Sequence, residues 1–144
     1  MKKLLLALPL ILLAGHLILE LVFRHVIPYA MLKPSRTIAT VSAESSSFPL
    51  RTISVKTDSV LLKGFIVEPK YSSPKAIIIL IHGIAGNKSH FLATAEGLAR
   101  EGYAALAFDL RAHGESSGYF TTYGYYEKYD VRSVVDYILS EKDS

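Results

Sequence analysis

The chain has 144 residues, half of them hydrophobic, with sixteen Lys or Arg, thirteen Asp or Glu and no cysteine. This length supports one domain with its own core, and the lack of cysteine excludes disulfides and thiol-linked lipid. The net charge of +3 is unevenly spread, since residues 1–43 hold five of the basic residues and one of the acidic ones. The positive charge therefore flanks the first apolar stretch, and we expect no nucleic-acid partner.

The chain begins with an apolar stretch in which Glu20 is the one charged residue between positions 4 and 23. About 20 apolar residues span a bilayer, so we expect residues 1–25 to be an uncleaved membrane anchor that contacts lipid through residues 4–23. A cleaved signal peptide is the alternative, but the run exceeds the usual length of roughly 7 to 15 residues and no clear A-x-A site follows. We expect a single-pass protein with its domain on the extracytoplasmic side.

A linker and the first strands are predicted next. Residues 26–49 are predicted to be a linker, because the sequence from Lys33 to Pro49 is rich in Ser, Thr and Pro without a regular period. The runs RTISVKT and VLLKGFIVEP, separated by Asp58 and Ser59, predict a β-hairpin. The six apolar residues Ala76–Ile81 are typical of a strand buried on both faces of a parallel sheet.

Two helices and another strand follow. An amphipathic helix is expected after HGIAGN, with Gly102 as its left-handed cap, and Tyr103–Leu110 is predicted to be a second buried strand. The apolar residues expected to face the sheet are Phe91, Leu92, Ala95, Leu98 and Ala99 in the first helix and Val131, Val134, Val135, Ile138 and Leu139 in the second. Because strands alternate with helices, residues 50–144 are predicted to form an α/β domain with a mostly parallel sheet.

The stretch GESSG contains G-x-S-x-G, the pattern of a serine nucleophile elbow. An elbow lies directly between a strand and a helix, but here the strand ends near Leu110 and the residues after Gly118 have no helical period. Enzymes with this elbow also place the triad histidine after the serine, and no histidine follows Ser116. A hydroxyl without a base is a weak nucleophile, so Ser116 is predicted not to be one.

The loops resemble those of the α/β-hydrolase superfamily. IIILIHGIAGNKSHF, Ile77–Phe91, is similar to the third strand and HGxxGN oxyanion loop of that family. DLRAHGES, Asp109–Ser116, is similar to the loop after its fourth strand, with Ala112 in place of the usual glycine. TYGYYEKYDVRSVVDYIL, Thr122–Leu139, resembles the segment that precedes the nucleophile elbow in esterase-like and peptidase-like members. The resemblance runs from about Arg51 to the end of the chain.

The resemblance implies the N-terminal part of a serine hydrolase that cleaves an ester, thioester or peptide bond. It places one oxyanion-hole donor at the backbone N–H of Ile84, supported by His82 and Gly83. The triad would lie beyond Ser144, so this chain alone is expected to be inactive. A small-molecule ester or peptide would be the substrate of the completed enzyme, and the family implies no metal or organic cofactor.

Other residues of the loops are expected to be structural, namely Asp109, Arg111, His113, Gly114 and Ser116. His82 and His113 lack a recognisable acid or nucleophile partner, so we expect them to brace the loops by hydrogen bonds. Asp109 and Arg111 are expected to form a local ion pair. Six aromatic residues are expected to pack on the sheet rather than to line an acyl pocket: Tyr119, Phe120, Tyr123, Tyr125, Tyr126 and Tyr129.

Two other functions compete with a hydrolase. A P-loop shares the order of strand, glycine loop and helix, but its pattern needs a lysine directly after its second glycine, and here Asn87 separates Gly86 from Lys88. The second is a membrane-tethered binding protein without catalysis. A hydrolase cut before its fifth strand would leave Ile77–Ile81 as an exposed apolar edge, so residues 45–144 produced alone are expected to be poorly soluble.

Overall fold

The computed structural model of the chain describes residues 2–142, with side chains from residue 7 to residue 141. The chain divides into two compact units, the first ending at Lys33 and the second beginning at Pro34. The first unit is helical, and the second contains a four-stranded sheet with two helices.

The first unit consists of α1 (Lys2–Leu21), a π-helical turn (Val22–Val26) and α2 (Ile27–Leu32). The helical run from Ala7 to Leu32 is long and apolar enough to cross a membrane. A signal sequence near the N-terminus can pass the same test of length and composition, so this test does not separate it from a membrane anchor. The helix continues past residue 25, and the first part of the predicted linker is therefore helical.

The sheet of the second unit has the strand order β1-β2-β4-β3. Its strands are β1 (Leu50–Lys56), β2 (Leu61–Val67), β3 (Ile77–Ile81) and β4 (Ala104–Phe108). β1 and β2 form the predicted antiparallel hairpin, β2 is antiparallel to β4, and β3 is parallel to β4. Among the described residues the sheet is therefore mixed rather than mostly parallel as predicted, because β2 of the hairpin pairs antiparallel with both of its neighbours. The parallel pair lies at the end that carries the glycine-rich loops.

Helices α3 (Leu92–Arg100) and α4 (Glu127–Lys142) pack on opposite faces of the sheet. Successive side chains of a strand point to opposite faces, so Ala105 and Ala107 lie in the core under α3, and Leu106 lies in the core under α4. Small residues on both sides let α3 approach the strands closely. This three-layer packing is the α/β arrangement predicted from the sequence.

Three predictions about local structure have different outcomes. Gly102 follows α3 with φ +87°, so it is the left-handed cap that was predicted. Val135 and Leu139 of α4 are exposed, because the face of this helix that meets the sheet is narrower than the pattern indicated. β3 is only half buried rather than enclosed on both faces, because it lies at the edge of the sheet that the structure describes.

Within the second unit, the segment from Pro34 to Pro49 packs against the core under α3. Val41 is buried in the core cluster under α3, and Phe48 packs against the same cluster. The hydroxyl groups of Ser46 and Ser47 donate to the carboxylate of Glu96 on α3 at 2.8 and 3.2 Å. This part of the predicted linker thus contributes to the domain that it precedes.

Candidate active site

Two loops meet at the carboxyl ends of β3 and β4. Because these strands are parallel and adjacent, the loop His82–Asn87 after β3 and the loop Asp109–Ser116 after β4 leave the sheet at the same edge. We call them the β3 loop and the β4 loop. They contain all the site residues predicted from the sequence, so the fold brings the predicted set together.

Two histidines brace these loops reciprocally. The Nε2 atom of His82 in the β3 loop accepts the backbone N–H of Leu110 at 3.0 Å, and its Nδ1 donates to the carbonyl of Gly83. The Nε2 atom of His113 in the β4 loop accepts the N–H of Ala85 at 3.2 Å, and its Nδ1 donates to the carbonyl of Arg111. Each imidazole therefore uses both nitrogens on backbone groups, in its neutral form.

The two imidazole rings also lie against each other, with centroids 5.0 Å apart. Burial lowers the pKa of His82 below its ordinary value of 6.5, and this outweighs the opposite effect of the Gly83 carbonyl. The neighbouring His113 adds to the lowering. His82 is thus kept neutral, which leaves its Nε2 lone pair free to accept the Leu110 amide.

A buried ion cluster joins Lys88, the first residue of the 3₁₀ turn Lys88–Phe91, to the β4 loop. The carboxylate of Asp109 accepts both the backbone N–H and the Nζ of Lys88, each at 2.7 Å. It also accepts the N–H of Glu115 at 2.8 Å, and the Glu115 carboxylate lies 2.6 Å from Lys88 Nζ. Gly114 has φ +46°, and a Cβ there would lie 2.2 Å from the Asp109 carboxylate. Only glycine fits at this position.

The remaining predicted residues of the β4 loop have partners of their own. Ser116 is fully buried, and its hydroxyl donates to the Asp109 carbonyl at 2.6 Å and accepts the Lys63 N–H at 2.9 Å. Arg111 forms two hydrogen bonds to Asp130 of α4, at 2.7 and 2.8 Å. The expected ion pair between Asp109 and Arg111 is therefore wrong, because each side chain is engaged by a buried partner of opposite charge from another element.

The β3 loop presents its backbone to solvent. Gly83, Ile84 and Ala85 are exposed, and the turn that contains them is closed by the hydrogen bond from the Gly86 N–H to the Gly83 carbonyl at 3.0 Å. Within residues 2–142, the N–H of Ile84 donates to no protein acceptor. Ala85 has φ +61°, a left-handed conformation that costs a residue with a side chain about 1–2 kcal/mol. The Ile84 N–H is therefore a free backbone donor beside a strained residue.

The aromatic residues after the β4 loop are not packed on the sheet. All six are exposed, from 39% for Phe120 to 82% for Tyr119. The expectation that they pack on the sheet is wrong, because this segment is held in another way, through Glu127 at the start of α4. The Glu127 carboxylate accepts the N–H groups of Thr122 and Gly124 at 2.7 and 2.8 Å. Burial acts to raise its pKa, but these and the other hydrogen bonds lower it to about 2.

Sequence reasoning missed four charged residues that fix this site: Lys88, Glu115, Glu127 and Asp130. Each lies in a stretch that resembles the family, but at a position to which the resemblance assigned no role, so only the fold reveals its partner. Glu127 and Asp130 lie on the first turn of α4, where acidic residues are common. Among the described side chains, no group of three or more His, Asp or Glu is arranged to hold a metal ion.

The family profile of the serine aminopeptidases, S33, matches residues 72–144, which is half of the chain. This match covers β3, both loops and α4. The chain belongs to this family. It corresponds to the N-terminal portion of an α/β-hydrolase, as the resemblance of the two loops predicted.

Proteins similar to this S33 family member include an esterase of known structure. The Pyrococcus furiosus esterase Pf2001 is 32% identical, with a TM-score of 0.62 over 74% of this chain and 42% of its own. The Butyrivibrio proteoclasticus protein Est1E, solved with bound ferulic acid, is 29% identical, with a TM-score of 0.55 over 60% of this chain and 36% of its own. The uncharacterised Bacillus subtilis protein YqkD is 36% identical over 80 residues, which are 56% of this chain and 26% of YqkD. The chain thus spans less than half the length of each of these relatives.

Proposed function

We propose that this S33 family member supplies the oxyanion loop of a membrane-anchored serine hydrolase that cleaves an ester, thioester or peptide bond. The observation that carries the proposal is the free N–H of Ile84 in the exposed turn of the β3 loop. A backbone N–H held in this way stabilises the negative charge that develops on a carbonyl oxygen during acyl transfer. The similarity to the esterase Pf2001 favours an ester over a peptide bond.

The surrounding contacts support this role because they fix the backbone on both sides of the donor. His113 holds the next amide, that of Ala85, and His82 joins the start of the β3 loop to Leu110. A donor that is already oriented needs no reorganisation when the charge appears, which is the source of its catalytic effect. The nucleophile, the acid and the base of this proposal lie outside the 144 residues, since Ser116 is buried and fully hydrogen-bonded.

The proposal is tested on the product of the coding sequence read past codon 144. We expect a continuation with a G-x-S-x-G elbow, labelling of that serine by a fluorophosphonate and hydrolysis of p-nitrophenyl esters. Ile84→Pro removes the N–H and should lower kcat by about 10²–10³. The matched variant Ile84→Val keeps the N–H and should retain activity. A stop codon at position 145, with a folded and unreactive product, would instead support the non-catalytic binding protein.

Membrane anchoring is tested on the same product. We expect it to stay in the membrane fraction after alkaline extraction, with an intact mass that includes residues 1–33. Release into the soluble fraction with a mass that lacks the N-terminal helix would identify a cleaved signal sequence. A basic variant, Leu12→Arg with Leu13→Arg, interrupts the apolar run of α1 and should abolish membrane retention.

A further inference from the structure

Residues 36–41, here called the strap, contact the β4 loop by side-chain hydrogen bonds. The guanidinium of Arg36 donates to the carbonyl of Ser116, and the hydroxyl of Thr40 donates to the Glu115 carboxylate at 3.1 Å. Val41 at the end of the strap is buried in the core under α3. The strap is therefore anchored at its end and held along its length by polar contacts.

The strap also reaches the β3 loop through Asn87. The carbonyl of Thr37 accepts the Nδ2–H of Asn87 at 3.4 Å, and the Oδ1 of the same amide accepts the N–H of Ser89 at 3.0 Å. Asn87 is buried, and only one orientation of its amide satisfies both contacts. The Thr37 carbonyl thus selects the orientation in which Asn87 caps the 3₁₀ turn Lys88–Phe91.

The cap lies close in sequence to the proposed oxyanion donor. Asn87 follows Gly86, whose N–H closes the exposed turn that contains Ile84. On the other side of the cap, the backbone of Lys88 is held by Asp109. Displacement of Asn87 therefore loosens the turn at Gly86, to which neither imidazole is hydrogen-bonded.

We propose that the strap positions the oxyanion loop, and that Asn87 is the positioning residue through which it acts. The inference rests on the proposed function, in which the Ile84 N–H is an oxyanion donor. The strap holds the turn in place, so it changes the orientation of the donor without contact with the substrate. Loss of the strap weakens transition-state stabilisation and leaves ground-state binding unchanged.

The first experiment measures amide hydrogen exchange in the full chain by NMR, in detergent. Arg36→Ala with Thr40→Val releases the strap from the β4 loop, and Asn87→Asp keeps the capping oxygen but removes the donor to Thr37. We expect exchange at Ala85 and Gly86, the hydrogen-bonded amides on the Asn87 side of Ile84, to accelerate about fivefold for each hydrogen bond lost. Exchange at Leu106 in β4 should not change.

Ile38→Ala is the matched control, because this strap side chain is 65% exposed. It should leave exchange in the β3 loop unchanged. The strap proposal is overturned when the strap variants and the control behave alike. It is equally overturned when exchange at Leu106 accelerates as much as exchange at Gly86, which would indicate a general loss of stability rather than positioning.

The second experiment compares the same variants in the hydrolytic product described above. We expect kcat to fall about tenfold with KM unchanged, since the oxyanion contact is made in the transition state. If Ile84→Pro leaves hydrolysis intact while the strap variants accelerate exchange, the proposed function fails and the structural coupling stands. If Ile84→Pro lowers kcat while the strap variants change neither exchange nor kcat, the strap proposal alone fails.

Discussion

β3 and β4 are adjacent parallel strands with similarly apolar sequences and different environments. All five residues of β4 are buried, whereas β3 is half buried and Ile81 is 45% exposed. β4 is hydrogen-bonded to β2 on one side and to β3 on the other, while β3 pairs with β4 alone among residues 2–142. The position of a strand in the sheet, rather than its hydrophobicity, therefore decides how far it is buried.

The loops that follow these strands differ in the same way. In the β4 loop, Asp109, His113 and Ser116 are buried and hydrogen-bonded to other elements. In the β3 loop, Gly83 and Ile84 are exposed. The β4 loop thus works as a scaffold, and the β3 loop presents a backbone donor to solvent.

The largest effect is expected from glycine substitutions in the two loops. Gly114→Ala places a Cβ against the Asp109 carboxylate at a position with positive φ, so we expect a loss of about 4 kcal/mol or more. Gly83→Ala is the matched change in the β3 loop, where nothing lies within 4 Å of the added Cβ, and it should cost less than about 0.5 kcal/mol. Urea unfolding followed by circular dichroism measures both. Equal losses would contradict the division between scaffold and open loop.

The strands themselves are compared through residues that are partners in register, Ile79 of β3 and Leu106 of β4. Leu106→Ala removes a fully buried side chain and should lower the free energy of unfolding by about 3 kcal/mol. Ile79→Ala removes a half-buried one and should cost about 1 kcal/mol. If the two losses are equal in urea titrations, β3 is covered in solution by something beyond the described sheet.

Acid should weaken the segment that follows the β4 loop through Glu127. Its folded pKa of about 2 lies below the ordinary 4.5, so its contribution is fully present above pH 4.5 and is lost as the pH falls toward 2. Once reduced for screening by solvent, the shift corresponds to about 2–3 kcal/mol. Thermal unfolding between pH 2 and pH 6 should show this decline in the native chain and a flatter profile in Glu127→Gln. Identical profiles would exclude this carboxylate as the cause.

His82, which joins the two loops, is expected to cause a separate loss of stability, at a higher pH than Glu127 does. Its pKa is lowered by burial, so below its ordinary value of 6.5 the unfolded chain binds a proton more readily than the folded one. Stability therefore falls as the pH decreases through 6.5 and on toward the folded pKa. A titration of the His82 ring by NMR should give a value under 6.5. A pKa above 6.5 would contradict the role of His82 as a neutral acceptor of the Leu110 N–H.

The smallest effects are expected at two alanines with left-handed backbones, Ala85 in the β3 loop and Ala112 in the β4 loop. Ala85→Gly relieves strain at an exposed position and should stabilise the fold by about 1 kcal/mol. Ala112→Gly relieves the same strain but removes a buried methyl group worth about 0.8 kcal/mol, so its net effect should be near zero. If Ala112→Gly stabilises the fold more than Ala85→Gly does in urea titrations, burial does not distinguish the two loops.

Much of the fold follows from local sequence patterns, which can be recognised without knowledge of the tertiary structure. The alternation of strand and helix, the hairpin turn at Asp58 and Ser59 and the Gly102 cap depend on neighbouring residues, and all three are present in the structure. The exposure of Val135 and of the aromatic segment was not predictable, because burial depends on which distant surface a residue faces. The partners of Asp109 and Arg111 were missed for the same reason, since Lys88 and Asp130 are remote in sequence.

The sequence by itself determined the family, the α/β architecture and the place of the two loops, because these depend on short motifs and on the order of elements. G-x-S-x-G in GESSG could be set aside from its context alone. Tertiary structure decided which side chains meet: the reciprocal histidines, the Lys88 cluster and the strap contact with Asn87. It also decided which loop is buried and which is open, because burial depends on the packing of the whole sheet.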